Sequence, residues 1–374
     1  MYERNKGVVI RVLTSAMGLG TYVPALFLKD FFQNKDMLCK VYLIESYLGS
    51  ERIESFLRNK ELYHKSFKAA KFGHKLAERQ LGGLLGENEK KQIYEDWDRD
   101  RCELFIIMSG NWMDVLLEYM RGNRLSDNLI CAVHMDVGSA PSWSRFANKE
   151  PKWNIAVYNE RCVEYILEYP KKFFKNERTF TDPEESYIYI HGGGWGMGTY
   201  QERYADFKNA IPYKIRTTVH SLDEVDFYYN WEYFLLDKHW MPWETHTKEL
   251  YPPIRRIEGG KLSDICNDLH NGMYSLYEDC CAIISKAGGG TLMDSLITAT
   301  PLVFIDPIAK HERRNQELWV SLHFGVTYEE WKKSGFSLKL LYELYQSLIN
   351  YRESIPGLGS YLLGRISENG KQNI

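Results

Sequence analysis

Short, predominantly apolar runs recur along the chain at 8–13, 39–44, 104–108, 129–133 and 153–157. Runs of that length without polar alternation suit strands covered on both faces, the condition of a parallel sheet crossed over by helices. A helix is predicted over 24–32, and 51–91 is a charged helical stretch between the second run and the third. At 169–186 the pattern breaks into YPKKFFKNERTFTDPEES, polar and carrying two prolines, which reads as a linker. The same grammar restarts beyond it, with runs at 187–190, 282–285 and 302–305. The chain is therefore divided into a Rossmann-like N-terminal domain over 1–170, a linker over 171–186 and a second Rossmann-like domain over 187–350. A tail over 351–374 is predicted to pack back on the first domain. A ligand is expected at the carboxyl ends of the strands.

Composition narrows the function. The 374 residues are enough for two domains, and 44% hydrophobic with 26% charged residues excludes a disordered or fibrous chain. Lys and Arg total 47 against 50 Asp and Glu, a formal charge of −3, so the basic excess of a dedicated nucleic-acid binder is missing. The longest apolar run, 296–305, is about half of the ~20 residues that span a membrane. The charged start followed by a strand-like run is not a secretory leader, and a cytoplasmic protein is expected. Seven cysteines without a C-x-x-C pair read as free thiols rather than as a disulfide or zinc framework.

Three glycine loops carry the candidate chemistry. The sharpest is SKAGGGTLMDSL, where Gly288, Gly289, Gly290 and Thr291 lead from a strand into a helix bearing Asp294. Glycines there let backbone N–H groups and the helix dipole meet a phosphate, and Asp294 one turn on can take ribose hydroxyls. The alternative is a tight turn that needs positive φ. The second loop, HGGGWGMG, places Gly193, Gly194 and Trp195 at the mouth of a cleft. The remaining loop, first along the chain, is SAMGLGTYVPA and offers Gly18 and Gly20 followed by Thr21. With Glu45 at the end of the second strand it resembles a dinucleotide fingerprint, but Val23 stands at the third glycine position.

The second and third loops of the C-terminal half, GGGWGMG and SKAGGGTLMDSL, are followed by PLVFIDP and KHERRNQELW. Together they resemble the GT-B glycosyltransferases, in particular the branch of monogalactosyldiacylglycerol synthase and the N-acetylglucosaminyltransferase that forms lipid II. The resemblance covers roughly 185–325 and is topological over 1–170. It implies a GT-B fold of two Rossmann-like domains with parallel sheets facing a central cleft, and an inverting transfer from a nucleotide diphosphate sugar, UDP by default, to a hydroxyl acceptor. It implies that Gly289, Gly290 and Thr291 hold the diphosphate and Asp294 the ribose. Ile257, within Arg256-Ile257-Glu258, would meet the base edge through its main chain. His311, Asn315 and Gln316 would bind sugar hydroxyls.

One departure matters. These families carry a histidine in the first loop, and Thr21 stands there instead. An inverting transfer needs a general base. AVHMDVGSAPSW, after a strand end, supplies Asp136 as the choice and His134 as its rival or orienting partner. No metal or other cofactor is expected: Glu95, Asp96, Asp98 and Asp100 read as a solvated surface, and Lys286 or Arg314 can neutralise the diphosphate with the helix terminus. On the acceptor side, 225–251 holds eight aromatics between Phe227 and Trp243, either a wall of the cleft or a satellite core. Residues 62–81 interleave Lys and Arg with Tyr63, Phe67, Phe72 and Leu76, a pattern that suits either an anionic membrane surface or a solvated face. A nucleotide-sugar hydrolase, a non-catalytic nucleotide-sugar-binding subunit and a dinucleotide oxidoreductase are the rival functions.

Overall fold

The computed structural model describes residues 9–77, 83, 85–99, 102–123, 130–146, 148–149, 151–169, 178, 180, 182–197, 200–226, 228, 230–244, 250–264 and 272–372. The first half runs β1 (Val9–Thr14), α1 (Leu19–Gln33), β2 (Leu38–Leu43), α2 (Ser50–Lys65), α3 (Phe67–Ala77), α4 (Glu87–Arg99), β3 (Cys102–Ile107), α5 (Met113–Asn123), β4 (Ile130–His134), α6 (Pro141–Ser144) and β5 (Trp153–Ala156). Its five strands form one parallel sheet in the order β2-β1-β3-β4-β5. All six residues of β1 are buried, which is why its sequence shows no polar alternation. The predicted strands fall within two residues of those formed.

The second half continues with β6 (Tyr187–Ile190), α7 (Tyr204–Ala210), β7 (Lys214–Val219), β8 (Trp231–Leu235), β9 (Arg255–Glu258), β10 (Lys261–Asp264), α8 (Met273–Glu278), β11 (Cys280–Ser285), α9 (Gly289–Thr298), β12 (Leu302–Phe304), α10 (Lys310–Ser321), β13 (Gly325–Thr327), α11 (Tyr328–Lys333), α12 (Leu338–Arg352) and α13 (Leu358–Gln372). Its eight-stranded sheet runs β10-β9-β8-β7-β6-β11-β12-β13, with β9 and β10 antiparallel at one edge.

The aromatic stretch 225–251 contains a strand, β8. Tyr233 and Leu235 pack with Val219 and Ile257 on one face, and Phe234 and Leu236 enter the main core on the other. A period of two therefore puts these rings into two cores. Trp240, Trp243 and Tyr251 reach across to the first half, Trp240 to Tyr22 (ring centroids 6.3 Å apart), Trp243 to Phe56 (5.5 Å) and Tyr251 to Phe27 (5.5 Å).

Most of the 171–186 linker lies outside the described residues. Arg178 within it is docked on the second half, where its guanidinium donates to the Thr298 carbonyl at 2.5 Å and the Cys280 carbonyl at 2.9 Å, at the end of α9. The tail helix α13 lies against the first half: Leu358 N–H donates to Ile166 O (2.8 Å), Gly359 N–H to Glu168 (2.9 Å), and Tyr361 meets Tyr165 at 4.8 Å. The acidic run around residue 96 lies in the last turns of α4, with Glu95 and Asp98 exposed and Asp96 half-buried. There Asp96 and Asp98 accept the hydroxyls of Tyr42 and Tyr119; Asp100 lies outside the described residues. Cys39, Cys131, Cys280 and Cys281 are buried free thiols and Cys162 is half-buried. No helix among the described residues is long and apolar enough to cross a membrane.

Candidate functional site

The three glycine loops follow the carboxyl ends of β1, β6 and β11 and converge on one cleft between the sheets, with about 980 Å³ of empty space that includes its open mouth. Two helices begin in it, α1 at Gly18 and α9 at Gly288, and neither N-terminus is capped by a side chain. Uncapped first-turn N–H groups with their dipoles form an anion site. The helices meet end to end: a Cβ on Gly290 would lie 2.8 Å from Gly20 Cα.

The glycines of the third loop do not serve a left-handed turn, since Gly288 has φ −72° and neither Gly289 nor Gly290 has positive φ. They permit close approach. A Cβ on Gly289 would lie 1.7 Å from Met135 O, across the seam between the halves. The second loop is different, because Gly193 (φ 77°) and Gly196 (φ 64°) are left-handed and require glycine. Gly194 admits the Leu19 side chain, which would stand 2.5 Å from a Cβ there. Trp195 crosses the seam with its indole N–H on Ala16 O at 3.0 Å.

Lys286 and Asp294 are the charged residues among those lining the cleft. Lys286 Nζ donates to Glu312 at 2.6 Å, and Glu312 also accepts the Ile308 N–H at 2.7 Å. Burial opposes the charge on Glu312, but Lys286 and His311 outweigh it and hold the carboxyl below its usual range. Asp294 accepts from the Tyr274 hydroxyl at 3.0 Å, and burial pushes its carboxyl up to about 7 against that bond. Tyr274 stacks on Phe27 of α1 with centroids 5.6 Å apart, so the ribose candidate lies under an aromatic lid from the other half.

Asp136 and Asn315 are brought together. The buried Asn315 amide donates to Asp136 Oδ1 and to Ala287 O, both at 2.8 Å, and accepts the Val137 N–H at 2.7 Å. Asn315 is thus a strut between the loop after β4 and the third glycine loop, with its hydrogen-bonding groups engaged by protein. His134 is buried on the far side of β4 against Trp143 (4.3 Å); none of His134, Asp136 and Asn315 lines the cleft, but Asp136 stands at the seam, its Oδ1 2.9 Å from where a Cβ on the cleft-lining Gly289 would lie. His311 faces His74 of α3 at 6.2 Å, and Gln316 is half-buried on α10; neither lines the cleft. Ile257 does not reach the cleft either. Its main chain is held in the ladder between β8 and β10, and Pro252 and Ile254 line the cleft instead. Thr21 bonds its own loop, Oγ1 to Ser15 O at 3.1 Å.

Glu45 is a correction to the fingerprint reading. It is buried, and its Oε1 accepts the Ser15 hydroxyl (2.5 Å) and the Ala16 and Met17 N–H groups (3.0 Å each), so it pins the first loop rather than facing a ribose. Burial raises its carboxyl above the usual range. Glu45→Ala would orphan three donors and should lower stability by roughly 2–4 kcal/mol in a denaturant titration, whereas Glu45→Gln keeps an acceptor and should lose far less. Equal losses would show that the bonds are not what matters.

One site residue was not singled out from sequence. His191 follows β6 directly, which is where a strand-end ligand residue belongs, and lines the cleft. Its Nδ1 accepts the Gly193 N–H at 2.9 Å, its Nε2 lies 3.3 Å from the Tyr277 hydroxyl, and burial holds it neutral with a pKa of about 3.

No protein-family profile and no curated protein matches the sequence. Solved structures do match over nearly the whole chain. SsfS6, a glycosyltransferase of Streptomyces sp. SF2575 solved with thymidine diphosphate, superposes with TM-score 0.55 over 97% of this chain and 99% of its own, at 10% identity. MurG of Acinetobacter baumannii gives 0.53 over 97% and 99%, at 13% identity. The spinosyn rhamnosyltransferase SpnG, complexed with spinosyn aglycone, gives 0.51 over 96% and 99%, at 9% identity. The fold is GT-B. In this GT-B chain the cleft between the two sheets is the one lined by the three glycine loops, and the resemblance read from those loops holds at the level of fold.

Proposed function

We propose that this chain is an inverting glycosyltransferase that moves a sugar from a nucleoside diphosphate donor, UDP-sugar by default, to a hydroxyl acceptor. The observation that carries it is the meeting of two uncapped helix N-termini in a cleft lined by Lys286 and Asp294. In this reading the first turn of α9, with Gly289, Gly290 and Thr291, and Lys286 hold the diphosphate, while Asp294 takes the ribose hydroxyls. Asp136, oriented by Asn315, takes the proton of the acceptor hydroxyl as its oxygen bonds to the anomeric carbon. The bond to the diphosphate oxygen breaks, and the diphosphate leaves with the electron pair against the helix terminus and Lys286. The positive groups come from the chain itself, so turnover should persist in EDTA. A cytoplasmic enzyme touching a membrane through α3 is consistent with Phe72, 64% exposed between the exposed Lys71 and Lys75.

The test is a thermal-shift panel of UDP, TDP, GDP, CMP and NAD. UDP at ~100 Kd should add about 2.7 kcal/mol, a rise of a few degrees. Asp294→Ala should lose most of it. A response to NAD alone would overturn the transferase reading. Release of free sugar without acceptor would favour a hydrolase, and donor binding without turnover a non-catalytic subunit. The Asp294 carboxyl, raised from 3.8 to about 7, also sets a sign. The unligated fold should lose stability as pH rises from about 4 to about 7, because the unfolded chain gives up this proton first. Nucleotide affinity should increase over the approach to pH 7, since ribose hydroxyls favour the ionised acceptor, and Asp294→Asn should flatten that rise.

A further inference from the structure

The second glycine loop is tied to the opposite half by a histidine whose two partners can only accept. His64, near the end of α2, places Nδ1 3.0 Å from Gly196 O and Nε2 2.9 Å from Glu224 Oε1. A carbonyl and a carboxylate have no hydrogen to give, so both ring nitrogens must donate, and both can do so only in the imidazolium. Gln201 Nε2 also approaches His64 Nε2, but at 3.5 Å, far longer than the 2.9 Å to Glu224 Oε1; one of its two amide hydrogens goes to Glu224 Oε2 at 2.9 Å. Glu224 is completed by the His220 backbone N–H at 3.0 Å and the Ser221 hydroxyl at 3.3 Å.

The surroundings support a charge at His64. The titratable groups facing it are Glu224 and His220 from the C-terminal half and Lys60 one turn back on α2. The buried His220 ring lies 5.1 Å away, and burial keeps it neutral with a pKa of about 3, so it adds no repulsion. Lys60 is aimed elsewhere: its Nζ donates to Lys238 O at 2.8 Å and lies 3.4 Å from the centre of the Trp195 ring. Lys65 and Glu61 pair with each other in solvent. Burial works against the imidazolium, but the Glu224 bond and charge with the Gly196 carbonyl outweigh it and hold His64 above its ordinary value. The loop it reaches is short and internally closed, by Gly196 N–H on Gly193 O at 3.0 Å and Gly193 N–H on His191. Moving the Gly196 carbonyl therefore moves Gly193, Gly194 and Trp195, which line the cleft.

We infer that His64 is a positioning residue whose imidazolium ties Gly196 and Glu224 of the C-terminal half to α2, and so holds loop 192–197 in its cleft-closing position. The tie is complete below the ordinary histidine pKa and is lost as pH rises through the raised value of the closed form, when one hydrogen must serve two acceptors. Each unit of that raise is about a tenfold preference for the closed form. The consequence for nucleotide binding rests on the reading of the cleft given above; the titration of His64 does not.

The experiment uses the full chain. NMR of histidine-labelled protein, assigned with His64→Gln, should show His64 titrating above the ordinary histidine range, and Glu224→Gln should move it down. UDP affinity by calorimetry, relative to His64→Arg at the same pH, should fall several-fold between pH 6 and 9 in the native chain. That ratio cancels the opposite contribution of Asp294. His64→Arg keeps its charge and should show only the Asp294-linked rise between pH 6 and pH 9, with no fall. His64→Gln should show the weakened affinity at every pH with its melting temperature little changed at pH 9. A His64 that titrates at or below the ordinary value overturns the inference, as does an affinity ratio flat with pH. Absence of UDP binding at every pH would reject the nucleotide reading, while the NMR titration would still decide the role of His64.

Discussion

Gly289→Ala should part the two halves of this protein. Alanine suits a helix better than glycine by about 1 kcal/mol, and Gly289 has no positive φ, so local propensity favours the substitution. The seam opposes it more strongly. The new methyl would sit 1.7 Å from the Met135 carbonyl oxygen and 2.9 Å from Asp136 Oδ1, and a backbone carbonyl cannot rotate aside as a side chain can. Relief requires separating the loop after β4 from α9. That separation breaks the Asn315 bonds to Asp136 and Val137 and the Tyr158 hydroxyl bond to Gly289 O at 3.0 Å. Overpacking typically costs about 1–3 kcal/mol and occasionally more, and a clash with a fixed backbone carbonyl lies at the upper end. X-ray scattering should show a larger radius of gyration, with the UDP-dependent thermal shift lost. Gly288→Ala is the control, since nothing lies closer than 3.7 Å to a Cβ there. A Gly289→Ala chain as compact as the native one would mean that the seam is not what these glycines serve.

Asp136→Asn should abolish turnover while sparing nucleotide binding. The amide oxygen can still accept from Asn315 Nδ2, so the strut between the halves survives, whereas Asp136→Ala would cut it. What disappears is the capacity to take a proton, and a general base contributes on the order of 10²–10⁴ in rate. Turnover with a UDP-sugar should fall by about that factor, with the UDP affinity within about twofold of native. Full activity in Asp136→Asn would remove this residue from the role of base. His134, packed behind β4 on Trp143, is not positioned to replace it, and the neutral His191 would be the next residue to test.

The sequence alone determined the strands that are buried on both faces and the loops that follow them. β1, β3, β4, β6 and β11 are written as apolar runs because both of their faces are covered, and glycine punctuates the ends where helices begin. β7 and β8 escaped this reading. Arg216 and Glu232 pair across them at 2.8 Å, interrupting the apolar pattern with a bond that exists only once the strands are adjacent. The family resemblance placed Ile257 at a base edge, yet it belongs to the ladder between β8 and β10, a hairpin that the left-handed Gly259-Gly260 turn marks in the sequence.

The site divides along the same line. Asp294, Lys286 and the third glycine loop were legible, since one strand–loop–helix unit contains them all. Why Gly289 is glycine was not, because the atom that excludes a side chain is the carbonyl of Met135. The Asn315–Val137 bond joins positions 178 apart and the His64–Glu224 bond positions 160 apart. Local sequence encodes which segments bury apolar surface and where the backbone must turn. The tie between the halves depends on hydrogen bonds and close contacts whose partners meet only after both sheets have formed, and these the tertiary structure decided.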